Sequence, residues 1–152
     1  VAAATAAAAA KQGLTCHMRL ILGSSSRWRR AVWKQHFPED ESTFSAADID
    51  EKDLRHADPQ CLTLLLANAK ADALAATLLS ADPSADALLV CLDQVVVVDG
   101  SIREKPTSKA EARTFLASYS QGSAAQCVNG VVVHDLQSGE RCGANELASV
   151  TF

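Results

Sequence analysis

Between Leu88 and Val98 the chain runs Leu-Leu-Val-Cys-Leu-Asp-Gln-Val-Val-Val-Val, an apolar stretch broken by a carboxylate, Asp93. Its length and β-branched composition predict a strand buried on both faces, so any sheet the chain makes must be built around it. An ionised carboxylate buried without partners is costly, and it is normally paired with a cation, bound to a metal or protonated. The run therefore fixes the centre of the fold, and Asp93 marks the first candidate for a functional residue.

With 152 residues, 48% of them hydrophobic, the chain has enough material for one domain with a sizeable core. The formal net charge of -4 argues against a broad basic face for nucleic acid, so any anion site must be local. The five cysteines are odd in number and scattered, with no Cys-x-x-Cys pair. That usage fits reduced thiols in a reducing compartment, and the cytoplasm is the expected location. No uninterrupted apolar run approaches the roughly 20 residues that span a bilayer, so no membrane partner is expected. Residues 1–17 open on an almost pure alanine stretch and are expected to be a disordered extension, whose alternative use is organellar targeting. The folded domain is expected over 18–152, opening at Met18.

Local signals divide that domain into alternating elements. Arg19 to Leu22 predicts a strand, Gly23-Ser24-Ser25-Ser26 a loop, and Arg27 to Lys34 a basic helix. Residues 38–58 are acidic and irregular. Asp58-Pro59 supplies a cap and a first-turn proline for a helix from Pro59 to Leu79, and Asp82-Pro83 breaks the chain before the central strand. Asp99-Gly100 is a hairpin signal that returns the chain through Ile102 and Arg103 to Glu104-Lys105-Pro106. Ser108 and Glu111 form a capping box for a helix to Tyr119, followed by Gly122. A strand from Val128 to His134, a turn at Gln137-Ser138-Gly139 and a last strand ending in residues 148–152 complete the pattern. The expected class is α/β, a mixed sheet flanked by helices.

Four places carry chemistry. In the long helix Leu62, Leu66, Lys70, Leu74 and Leu78 recur every four residues, so Lys70 interrupts a leucine row. It either faces a cleft, where it would hold an anion, or snorkels to solvent from the edge of the stripe. The serine loop joins hydroxyls to a helix N-terminus, which suits a phosphate, although a plain serine cap explains it as well. The neighbouring Arg27, Arg29 and Arg30 favour the phosphate. It lacks the Gly-Lys-Ser/Thr ending of a Walker A loop. Asp93 is either structural or catalytic. Lys105 returns near it, although a regular hairpin places Gln94 opposite Lys105. The acidic residues Asp48 to Asp53 are either a solvated loop or the source of a second metal carboxylate. The histidines, His17, His36, His56 and His134, show no metal-ligand spacing, and neither a nucleophile elbow nor a dinucleotide glycine fingerprint is present.

Taken in order, Leu20-Ile21-Leu22-Gly23-Ser24-Ser25-Ser26 with Arg29-Arg30, Ala47-Asp48-Ile49-Asp50-Glu51, Ala67-Asn68-Ala69-Lys70-Ala71, Asp93-Gln94-Val95-Val96, Glu104-Lys105-Pro106 and Glu111-Ala112 resemble the motifs of the Maf family of nucleotide pyrophosphatases, in its eukaryotic wording. The resemblance implies the elongated α/β cleft fold shared with inosine triphosphatases. It also implies hydrolysis of a nucleoside triphosphate such as dTTP, UTP or a modified nucleotide to the monophosphate and pyrophosphate, which cleans the nucleotide pool. By position it implies Asp93, Lys70 and Lys105 as catalytic residues, Ser24, Ser26 and Arg29 as substrate ligands, and Glu51 with Asp93 as ligands of Mg2+ or Mn2+. A homodimer is the partner it implies. Arg27-Trp28 stand where the family loop usually has Pro-Arg, and the family continues past Phe152 with a Gly-x-Gln-Gly segment, so a domain truncated before its C-terminal part is expected. The alternatives are a non-catalytic nucleotide-binding fragment or degenerate paralogue, and an inosine or xanthosine triphosphatase.

Overall fold

The computed structural model describes residues 19–37, 43–120 and 124–151. The alanine-rich extension, Met18, Gly122 and Phe152 lie outside the described residues. The elements in chain order are β1 (Arg19–Gly23), α1 (Arg27–His36), β2 (Thr43–Ser45), α2 (Pro59–Ala81), β3 (Ala87–Val98), β4 (Ser101–Arg103), α3 (Lys109–Tyr119), β5 (Ala125–Asp135) and β6 (Arg141–Val150).

The strand order is β2-β1-β3-β5-β6, with β4 paired to β3. β1 runs parallel to β2 and β3, whereas β3 is antiparallel to β4 and β5, and β5 to β6. The sheet is therefore mixed, as the sequence predicts, and β3 is its central strand. Asp99 and Gly100 turn the chain at positive φ, 49° and 75°, which the Asp-Gly pair tolerates. β2 was not expected. It is a three-residue edge strand, too short to leave a period in an acidic segment.

β3 corrects one expectation. Ala87, Leu89, Cys91, Asp93 and Val95 are buried, while Leu88, Val90, Leu92 and Val96 on the opposite face are half-buried and Gln94 is exposed. Alternate side chains of a strand point to opposite faces, and the buried set is the one that meets α2. Apolar residues on both faces cannot reveal from sequence that one face is covered more completely.

α2 begins as its cap signals require: Asp58 Oδ1 accepts the Cys61 N–H at 2.8 Å, with Pro59 in the first turn. Its Ala67, Ala71 and Leu74 pack with Ile21, Leu89 and Val132, and its Leu62 and Leu66 with Val95 and Val128. This 23-residue helix, whose most apolar 18-residue window has a mean hydropathy of 1.4, is long and apolar enough by composition to cross a bilayer, contrary to expectation. Its scattered polar residues hide that length in the sequence, and its buried stripe lies on the sheet as a core helix does.

Two features place α2 over Asp93. Gly130 on β5 pairs with Asp93, and a Cβ there would lie 2.5 Å from the Thr63 carbonyl carbon and 2.7 Å from the Leu64 nitrogen. Asn145, opposite Gly130 on β6, donates through Nδ2 to the Gln60 carbonyl at 3.2 Å and to Thr63 Oγ1 at 3.0 Å. The helix backbone thus rests directly on the sheet beside Asp93. Gly130→Ala is expected to lower stability by about 1–3 kcal/mol, because α2 must lift to admit the methyl group. A urea midpoint unchanged from wild type would show that the close approach is not real.

Candidate active site

The cleft opens where the sheet has a gap. β1 follows β3 only to Gly23 opposite Cys91, and β4 joins only from Arg103 opposite Val96. Between these points no strand among the described residues pairs with this edge of β3, and a cleft of about 870 Å³ opens over it. One carbonyl of this stretch, that of Leu92, accepts a hydrogen bond from Arg29 Nη1 at 3.1 Å.

Asp93 lies on the α2 face and is 8% exposed. Two turns after the contact at Thr63, α2 delivers Lys70, whose Nζ donates to Asp93 Oδ1 and pairs with Glu51 Oε1 at 2.8 Å. Lys70 therefore faces the cleft rather than solvent. Burial presses most strongly on its ammonium and lowers its pKa, but the hydrogen bonds and charges of Asp93 and Glu51 together outweigh that, so Lys70 titrates above the ordinary lysine value. The hydrogen bond from Lys70 holds Glu51 below the usual glutamate range against partial burial, helped by the charges of Lys70, Lys105 and Arg29.

The loop after β1 has a built shape. Ser24 is buried, its N–H donates to the Leu22 carbonyl at 3.0 Å, and its Oγ accepts the Ser26 N–H at 3.2 Å. Ser26 caps α1 by accepting the Arg29 N–H at 3.4 Å, while Arg30 Nε donates to the Ser24 carbonyl at 2.9 Å. The serine cap and the anion site are thus compatible: the first N–H groups of α1 have no partner within the helix and stand at the positive end of its dipole, beside the cleft.

Ser24, Ser26, Arg29, Glu51, Lys70, Asp93 and Lys105, the site residues the family resemblance implies, line this one cleft, whereas Arg27, Arg30 and Asp48, which the sequence also offered for phosphate or metal, are not among its lining residues. Direct pairing of Asp93 with Lys105 does not occur; the partner is Lys70, because the β4 ladder ends at Arg103 before reaching Lys105. The capping box also differs in detail. Ser108 Oγ accepts the Glu111 N–H at 3.1 Å, but the Glu111 carboxylate accepts from the Thr107 N–H and hydroxyl, at 2.6 and 2.7 Å. Sequence reasoning missed Arg55, whose Nη1 reaches Glu104 Oε1 at 3.4 Å, and Arg103, whose guanidinium lies over the Phe115 and Tyr119 rings. No local pattern signals either contact. Trp28 lines the cleft and is 69% exposed.

The acidic pair fits a divalent cation in a limited way. Among the described residues no three His, Cys, Asp or Glu side chains form a metal-holding group. Lys70 engages Oδ1 of Asp93 and Oε1 of Glu51, which leaves the second oxygen of each carboxylate as a donor. One or two carboxylates completed by phosphate oxygens and water is the ligand set in which Mg2+ is usually held with phosphorylated substrates.

Lys70→Met would leave Asp93 buried without its cation and is expected to cost about 3–5 kcal/mol in unfolding free energy. Adding Asp93→Asn should recover much of that loss. A double variant as unstable as the sum of the single ones would rule out the pairing.

The sequence model of the Maf-like protein family matches residues 19–152. A 7-methyl-GTP pyrophosphatase of Dictyostelium discoideum is 39% identical over 142 residues, covering 88% of this chain and 67% of that protein. A protein of the same name from Chromohalobacter salexigens is 34% identical over 134 residues, covering 88% of this chain and 65% of that protein. The chain thus spans about two thirds of the length of these curated relatives. In fold it resembles a HAM1 protein from Coxiella burnetii, with a TM-score of 0.54 at 11% identity over 87% of this chain and 71% of that one. With the family match running from the first residue of β1 to the end of the chain, this protein belongs to the Maf-like family.

Proposed function

We propose that the chain carries the site of a nucleoside triphosphate pyrophosphatase, which cleaves between the α and β phosphates to give a monophosphate and pyrophosphate. The observation that carries this reading is the convergence on Lys70: a partly buried ammonium held by two carboxylates, in one cleft with a serine loop and a helix N-terminus.

A triphosphate needs cations and N–H donors to offset its charge. Ser24, Ser26 and the start of α1 offer N–H and O–H groups to phosphate oxygens, and Arg29 and Lys105 supply charge. Arg29 keeps donors beyond the one bound to Leu92, so it can hold the edge of β3 and a phosphate together. Lys70 lies nearest the carboxylates and orients Asp93. In the reaction a water oxygen bonds to the α phosphorus, the bond from that phosphorus to the bridging oxygen breaks, and pyrophosphate leaves with the bond's electron pair. Asp93 takes the proton from the attacking water. A divalent cation, for which Glu51 and Asp93 would be the protein ligands, would supply charge neutralisation and acidify water.

For the base, the names of the relatives and the exposed Trp28 favour 7-methyl-GTP over dTTP and UTP. Methylation at N7 gives guanine a positive charge, and a cationic ring gains from stacking on an indole face. One face of Trp28 already carries the Arg27 guanidinium, 4.6 Å from the ring centroid, which leaves the other for the base.

The test is pyrophosphate release from 7-methyl-GTP, GTP, dTTP, UTP, ITP and XTP with Mg2+ or Mn2+. Wild type is expected to favour 7-methyl-GTP, and Asp93→Asn to lower its turnover about a hundredfold or more. Equal background from both proteins would leave a non-catalytic nucleotide-binding chain, and a preference for ITP or XTP would point to deaminated purines.

A further inference from the structure

The loop from Ala47 to Asp58 carries Glu51, and the loop after β4 carries Lys105; both line the cleft. One side chain joins them. Arg55 Nη1 donates to the Glu51 carbonyl at 3.1 Å and the Leu54 carbonyl at 3.0 Å, and the same group pairs with Glu104 Oε1 at 3.4 Å. Beneath this contact, Leu54 of the first loop and Ile102 of β4 pack on the same cluster of Leu62, Leu66, Val95 and Val128. The loop is further shaped by Asp50, which accepts the Lys52 N–H on Oδ1 at 2.9 Å and the Asp53 N–H on its carbonyl at 3.3 Å.

We propose that Arg55 is a positioning residue that clasps the Glu51 loop to the Glu104–Lys105 loop beside the cleft, and so sets where Glu51 stands relative to Lys70 and Lys105. An irregular loop has no ladder to fix it, and its backbone carbonyls need donors. Arg55 supplies those donors and ties them to a second element. Glu51 is pulled by Lys70 from within the cleft and by Lys105 from the loop after β4. A shift of the loop would weaken both pulls. Arg55 and Glu104 are each about half-exposed, 52% and 49%, so the clasp contributes little to global stability and can act mainly on the loop.

The kinetic part of this proposal rests on the pyrophosphatase reading; the structural part does not. Hydrogen exchange of the full chain, followed at the amides of residues 50–54, is the first arm. Glu104→Ala is expected to speed exchange there roughly twofold to fivefold, the range a half-exposed ion pair supports, and high salt should bring wild type toward the variant. Arg55→Ala should act more strongly, because the carbonyl bonds are lost as well. The second arm is steady-state turnover. Both variants should lower kcat more than they raise KM, and their combined effect should fall short of the product of the two. Unchanged exchange at residues 50–54 overturns the clasp. Faster exchange with unaltered kcat and KM overturns the positioning role. If wild type releases no pyrophosphate, the catalytic reading fails while the exchange arm still decides whether Arg55 holds the loop.

Discussion

The Lys70 ammonium, held between Asp93 and Glu51, is the interaction on which the site depends. It ties three parts of the chain together at one point: the central strand, the core helix and an irregular acidic loop. Neither Lys70 nor Asp93 would be favourable here alone. A buried aspartate without a cation, or a buried lysine without carboxylates, costs several kcal/mol in real proteins, so the pair is stable only as a set. The arrangement depends on backbone geometry as much as on charge. Gly130 lets α2 settle onto the sheet beside Asp93, and Asn145 holds it there, which fixes the height at which Lys70 emerges.

The gap in the sheet turns this packing into a site. A continuous ladder along β3 would cover Asp93 from the side. Instead β1 stops at Gly23 and β4 starts later, and the chain leaving β1 makes the serine loop and α1. The helix N-terminus is thus aimed at the unpaired stretch, with Arg29 bonded to the Leu92 carbonyl as the link. One topological interruption brings a helix N-terminus, a buried carboxylate and two lysines to the same cleft.

Much of this was legible because its signals are local. The apolar run gave β3, Asp58-Pro59 the start of α2, Asp99-Gly100 the hairpin, and the ordered motifs the family. Lys70 stood out because it broke a leucine row, although the row alone could not say which way it pointed. What escaped was set by tertiary contact. Pairing of Asp93 with Lys70 instead of Lys105 depends on where β4 ends. The one-sided burial of β3 depends on which face α2 meets. Arg55 and Glu104 are far apart in sequence and carry no pattern, so their contact exists only once both loops are in place.

The account stands most directly on the protonation of Lys70. In an NMR titration of its side-chain nitrogen, the wild-type midpoint is expected above the ordinary lysine value, since two carboxylates outweigh burial, and in Asp93→Asn it should fall as burial gains against the single remaining carboxylate. A wild-type midpoint at or below the ordinary value, unmoved by Asp93→Asn, would contradict the claim that Lys70 is held between Asp93 and Glu51.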